Sequence, residues 1–514
     1  MRNNKSILKE SKSGHIFMWP FTGLDKNAKY AIDENLLIKH GWERNELYLD
    51  GYVDYDDLKT KFSCLQYLNE SAKKIFSSIP STDHICKQFK IPNKLLTGYQ
   101  YNIEFKGKTY SLNIESIELH LYNFNIGILM ITTSNDKYCD IEEIKLINDL
   151  SRRVSMPYLP SDLEISTKNQ SLELSTPDRV YISKNEDVLY DYNYRDYFLN
   201  KDTSNSRFTP QELFDMSHPM PLLMYILNNV FDDLHAGKGI DERKYEIRVK
   251  EFNDDRMFLM CFIRDDELSR QLQGPFDSSI KNLLYSIIYV DPSYPTCQNE
   301  EMRDALLEQA LYKRWSNFGT IHAATNYSFF LLTSNDSSIN DSVIRPFVYE
   351  YKYFISLVLA QRFGLLLFSE KALSFAELKS TKINAIHLKE QYCKFENQIL
   401  LPEISNQDQG IDVYHLLQKQ LYIKEGIESL DRPIKDLGEL ASFKIDKIKN
   451  YILLTISLLG FSFGGYGIAI DIIESPDKVL SVTTKILILG FFMIISIIIF
   501  IIFVQCDHKR KKYL

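Results

Sequence analysis

In this 514-residue chain the most telling spacing belongs to small residues rather than reactive ones. Leu453, Ser457, Gly460, Gly464 and Gly467 recur at i, i+4, i+7, i+11 and i+14, which places them on one face of a helix. In lipid, side chains this small can let a neighbouring helix approach closely. Turned toward a shared axis, they instead leave room and bare carbonyls for ions. Asn450, Ala469 and Asp471 complete the candidate pore set. Strict heptads select another face, Tyr451, Thr455, Leu458 and Ser462. A straight helix drifts about 20° per heptad against that repeat, so both faces stay open.

A second chemistry is anion and base recognition, which calls for guanidinium groups and flat stacking partners. Arg152 and Arg153 form one candidate, after a helix and before 154-VSMPYLP-160. Arg314, Trp315, Asn317, Thr320, His322 and Asn326 form another. The ordinary alternatives are a solvated helix end helped by its dipole for the arginines, and core packing for Trp315. The stretch 236-AGKG-239 lacks the spacing and the Ser or Thr of a phosphate loop. H-E-x-x-H and dinucleotide fingerprints are absent too, and Asp232-Asp233 with His235 reads as a helix end. The chain is expected not to be an enzyme and to hold no metal or resident cofactor.

The elements around these residues are of two kinds. Tyr451 to Ile470 and Ile486 to Val504 carry no charge. Each approaches the roughly 20 residues that cross about 30 Å of hydrocarbon, so together they predict a tight transmembrane hairpin. Lys444, Lys447 and Lys449 before it and 507-DHKRKKYL-514 after it are basic, while 471-DIIESPDKVLSVTT-484 is mainly acidic. The positive-inside rule puts both termini in the cytoplasm of a multi-pass inner-membrane protein. The opening MRNNKSILKESKSGHIF has no apolar signal core. With a net charge of −8, no basic character recommends the whole chain to nucleic acid, and no direct nucleic-acid partner is expected. Seven scattered cysteines without a C-x-x-C pair fit a reduced compartment.

The rest predicts an α/β cytoplasmic region. Residues 1–205 form a first α/β domain, with strands at 101–114 and 118–133, a helix at 141–153, and an irregular stretch over 164–207. Residues 206–370 form a second, with a helix over 210–234 interrupted near Pro219 and Pro221. Its strands are placed at 244–252, 256–263 and 284–291, a helix at 301–315, and a strand pair at 319–335. Residues 371–450 form a helical stalk, broken near Pro402. Ile423, Ile427, Leu430, Ile434, Leu437 and Ala441 make a seam of 3.5-residue period, with Pro433 as a kink. That seam suits either self-assembly or packing on its own domain. Transmembrane helix 1 spans 451–473, an outer loop 474–485, transmembrane helix 2 486–505, and a basic tail 506–514.

Over roughly residues 375–514 this plan resembles the CorA metal-ion transporter family. The first span ends in Tyr466-Gly467-Ile468-Ala469, similar to that family's Tyr-Gly-Met-Asn, and the tail ends Lys509-Arg510-Lys511-Lys512-Tyr513-Leu514. The resemblance implies a CorA-like funnel, a homopentamer, and a pore lined by the first span. Ala469 stands where the family's asparagine meets hydrated magnesium, and alanine offers no side-chain oxygen. Asp471, with Glu474 and Asp477 in several copies, would form an acidic ring that enriches cations. Lys447 and Lys449 would form a basic ring at the other end, or serve only as anchors.

The large front end makes the chain similar to CorA-type membrane effectors encoded beside type III CRISPR systems. That likeness implies gating by SAM-AMP, a conjugate of S-adenosylmethionine with AMP, and membrane permeabilisation as an antiviral act. The implied partners are further copies of the chain, the bilayer and the small nucleotide. The alternative is a divalent metal-ion (Mg2+) transporter.

Overall fold

A computed structural model describes residues 11–25, 28–45, 61–76, 84–154, 177–185, 187–193, 221–228, 245–252, 256–292, 295–336, 340–377, 382–473 and 481–510. The chain divides into two compact units. Met1–Ser369 with Cys393–Leu430 make the first, and Glu370–Tyr392 with Asp431–Leu514 make the second.

The first unit is built on one sheet. Its strands, in chain order, are β1 (Ser13–Gly23), β2 (Glu43–Arg44), β3 (Cys86–Lys90), β4 (Tyr99–Phe105) and β5 (Lys108–Tyr122). They continue with β6 (Ile126–Asn135), β7 (Arg179–Lys184), β8 (Asp187–Asn193), β9 (Val249–Glu251) and β10 (Phe258–Arg264). The last three are β11 (Leu311–Tyr312), β12 (Ile321–Ala324) and β13 (Ser328–Thr333). The main path runs β11-β12-β13-β10-β1-β6-β5-β4-β7-β8, with β2 on β3, β3 on β5 and β9 on β1. The sheet therefore takes strands from both sides of residue 205. Among the described pairs only β10 and β13 run parallel.

Backbone geometry explains where the expected strands divide. The run 101–114 folds back at Lys106 and Gly107, both with positive φ (50° and 76°), as a tight hairpin turn requires. The run 118–133 is cut by Asn125 at φ 65°. Two regions differ from expectation. Residues 284–288 are helical, because Asp277 caps Ser278–Ile288 by accepting from the Ile280 amide at 2.8 Å. Ile280, Leu284, Ile287 and Ile288 then present helical rather than alternating spacing. The stretch read as irregular contains β7 and β8, β7 held by pairing with β4 and β8 by pairing with β7. The strand expected at 244–252 is only three residues long, and of the helix over 210–234 the described part is Pro221–Leu227. The linker at 201–210 lies outside the described residues.

Both sheet faces are covered. Phe17, Leu119, Ile131, Leu259 and Ile263 share a core with Ile144, Ile147 and Leu150 of helix α1 (Ile141–Ser151). Burying each such side chain contributes about 1.5–3 kcal/mol. On the other face lie Glu118, His120 and Tyr122 of β5. Glu118 accepts Lys352 Nζ on both oxygens at 2.7 Å, and His120 and Tyr122 each reach Ser356 Oγ at 2.8 Å. Lys352 opens helix α2 (Lys352–Glu377) after π-helical turns at Asn340–Ile344 and Phe347–Tyr351.

Three helices complete the stalk region: α3 (Lys382–Ile399), α4 (Asp408–Gln420) and α5 (Ile423–Ile473). α5 keeps Pro433 in its interior. Its apolar seam is closed by its own chain. Ile423, Leu430 and Ile434 are buried. In the first unit a Cβ on Gly426 would stand 2.9 Å from Leu365, and in the second one on Gly438 would stand 2.3 Å from Lys389.

By length and composition, Ser342–Ser374, Ile445–Ile473 and Val482–Ile501 are long and apolar enough to cross a membrane. The first is 67% buried inside the chain, whereas each of the other two is 6% buried. The exposed apolar faces therefore belong to the end of α5 and to α6 (Val482–Arg510). Glu474 and Asp477 lie outside the described residues, as do Lys511 to Leu514.

Candidate functional site

In the second unit α5 and α6 touch along one side of α5. Ser462 and Ser496 meet there, hydroxyl to hydroxyl at 2.7 Å, and both approach the Leu458 carbonyl, at 2.9 and 3.1 Å. A Cβ on Gly465 would fall 2.6 Å from the Phe492 ring. Tyr451 faces Phe500 with ring centroids 6.4 Å apart. The face chosen by strict heptads thus supplies Tyr451, Leu458 and Ser462 to the contact with α6.

The small-residue face looks the other way. At about 100° per residue, Ser462 lies about half a turn round from Leu453. A Cβ on Gly460, Gly464 or Gly467 would meet nothing within 4 Å. Leu453, Ser457 and Asn450 are exposed, Ala469 is half-buried, and Asp471 is exposed near the end of α5. Lys447 lies over the Tyr451 ring at 5.9 Å, and Lys449 pairs with Asp446 at 3.8 Å. An open stripe of this kind can receive another copy of itself or, in a ring of copies, line water.

The ligand candidates separate into three places. Arg152 caps α1 at its C-terminal end and is 1% exposed. Its Nη2 reaches Asp149 at 3.4 Å, and Arg153 reaches the same carboxylate at 3.2 Å. Nε and Nη1 of Arg152 have no hydrogen-bond partner among the described residues. Burial pushes the Arg152 guanidinium down to about 10, against the pull of Asp149, so it stays charged at neutral pH. An antiparallel bridge joins Arg153 to Arg256. Arg152 and Arg256 lie 5.2 and 5.6 Å from the centroid of Tyr327. Tyr327 follows the exposed Asn326 on the turn between β12 and β13, so that member of the second cluster sits beside the first.

Arg314 and Trp315 lie on the surface and fasten to α4. Arg314 pairs with Asp412 at 3.2 Å, and Trp315 Nε1 donates to Gln409 Oε1 at 2.9 Å. Asn317 is exposed close by. Thr320 and His322 are instead buried on β12 and its approach. Thr320 bonds Thr333 at 2.9 Å, and His322 stacks on Phe329. Burial holds the His322 imidazole down at about 4, so it is neutral and apolar in behaviour.

Arg256 and Tyr327 carry no local signal in the sequence. Only strand pairing across the sheet brings them to Arg152. Among the described residues no three His, Cys, Asp or Glu side chains are grouped to hold a metal ion. Comparisons with models of known families, with characterised proteins and with solved structures return no match.

Proposed function

We propose that the chain is a homo-oligomeric membrane channel opened by a cytoplasmic nucleotide. In the systems its C-terminal plan resembles, that ligand is the S-adenosylmethionine–AMP conjugate, and the outcome is membrane permeabilisation against phage. One observation carries the proposal. The second span covers one side of the first, and the glycine-bearing side opposite remains open for partners or water. Two helices cannot enclose a path, so several copies surround it, five in the CorA-like plan. Asp471 in each copy then adds a ring of negative potential that enriches cations. A ligand opens such an assembly only by binding the open form more tightly than the closed one.

The test is ion flux from liposomes holding the purified chain, with and without adenosine nucleotides, including the conjugate. Flux that requires nucleotide supports the proposal. Magnesium flux without nucleotide identifies a divalent-cation transporter instead. No flux under any condition identifies a tethered sensor and overturns the channel.

A further inference from the structure

We propose that Arg152, Arg256 and Tyr327 form an oxyanion site for a phosphoryl group. This deepens the nucleotide-gated reading and rests on it for the consequence, though not for the binding.

The site stands on a buried arginine with donors to spare. Arg152 is 1% exposed, yet Nε and Nη1 meet no acceptor among the described residues. Leaving such donors unmet costs roughly 1–3 kcal/mol, more for a charged group. The Asp149 carboxylate is shared with Arg153, and the contact to Arg152 is long at 3.4 Å. Arg153 and Arg256 both lie close enough to repel the Arg152 charge. Nε–H and Nη1–H lie in the guanidinium plane on either side of the Asp149-bound Nη2, and each can give one charge-assisted hydrogen bond to an oxyanion oxygen. A phosphoryl group, with more charge than a carboxylate, relieves more of the repulsion between Arg152 and Arg256. Arg256 and Tyr327 are half-buried and form the way in.

The experiment titrates the detergent-purified full chain with inorganic phosphate, AMP and acetate at equal ionic strength, reading heat and thermal stability. Phosphate and AMP are expected to bind and raise the melting temperature, and acetate is not. Arg152→Lys and Arg256→Gln each weaken phosphate binding about ten- to a hundredfold, the loss of a charge-assisted contact. Should Arg152→Lys fail to fold, Arg256→Gln decides, because that side chain is half-buried. Absence of phosphate binding, or binding unchanged in Arg256→Gln, overturns the site. Phosphate binding without flux leaves the site standing and removes gating. Nucleotide-triggered flux that survives Arg256→Gln removes the site and leaves gating.

Discussion

Ser462 and Ser496 share a 2.7 Å hydrogen bond between the two C-terminal helices, and both lie within reach of the Leu458 carbonyl. In hydrocarbon such a pair fixes the rotation of one helix against the other. Replacing both with valine is expected to weaken the hairpin by about 0.6–2 kcal/mol, measured by steric trapping in bicelles. Unchanged hairpin stability would show that apolar contacts alone set the rotation.

Two adjacent glycines separate packing within a chain from packing between chains. Gly465→Leu drives a side chain into Phe492 and is expected to cost about 1–3 kcal/mol of hairpin stability. Gly464→Leu meets no atom of its own chain, so hairpin stability stays within about 0.5 kcal/mol. Assembly measured by light scattering in detergent should fail in Gly464→Leu. The reverse pattern would place self-contact on the face held by α6.

Lys352 and Glu118 form a buried ion pair between α2 and the sheet. Lys352→Met leaves the Glu118 carboxylate uncompensated and is expected to destabilise the first unit by about 3–5 kcal/mol. Adding Glu118→Leu should recover most of that loss in urea unfolding followed by circular dichroism. A double variant no more stable than the single one would refute the pairing.

Glu350 is buried, and desolvation raises its carboxyl to about 7, with the Gln66 side-chain amide donating to it at 3.2 Å. The folded state holds this proton more tightly than the unfolded one. The stabilisation is thus complete below about pH 4.5 and is lost as pH rises through 7. The difference amounts to about 3 kcal/mol. Glu350→Gln should match the parent at pH 4.5 and exceed it at pH 8 in thermal unfolding. Equal shifts at both pH values would deny the titration.

The membrane helices were legible because sustained apolar runs have few other uses, and the β6 and β10 strands because their buried residues are strongly β-forming. The face of α5 could not be chosen from spacing alone. Both faces carry small residues, and only Ser496 and Phe492, on another helix, choose between them. The stalk seam was visible, but its partners Leu365 and Lys389 lie on helices that periodicity cannot pair. The second ligand cluster scattered because it straddles a surface loop, a buried strand with its approach, and the turn beyond. His322 went into the core, while Trp315 stayed on the surface loop before the strand. Arg256 and Tyr327 were hidden for the opposite reason, since long-range strand pairing, not local sequence, sets them beside Arg152.

The most direct measurement is aqueous labelling of single cysteines along α5 by a charged thiosulfonate in liposomes, read over the parent chain's background. Gly460→Cys and Gly464→Cys should react, because their side faces water inside an assembly. Leu459→Cys, exposed but about 100° round the helix from Gly460, should not. Equal protection at all three positions would mean that lipid surrounds the glycine face and that no conduit exists.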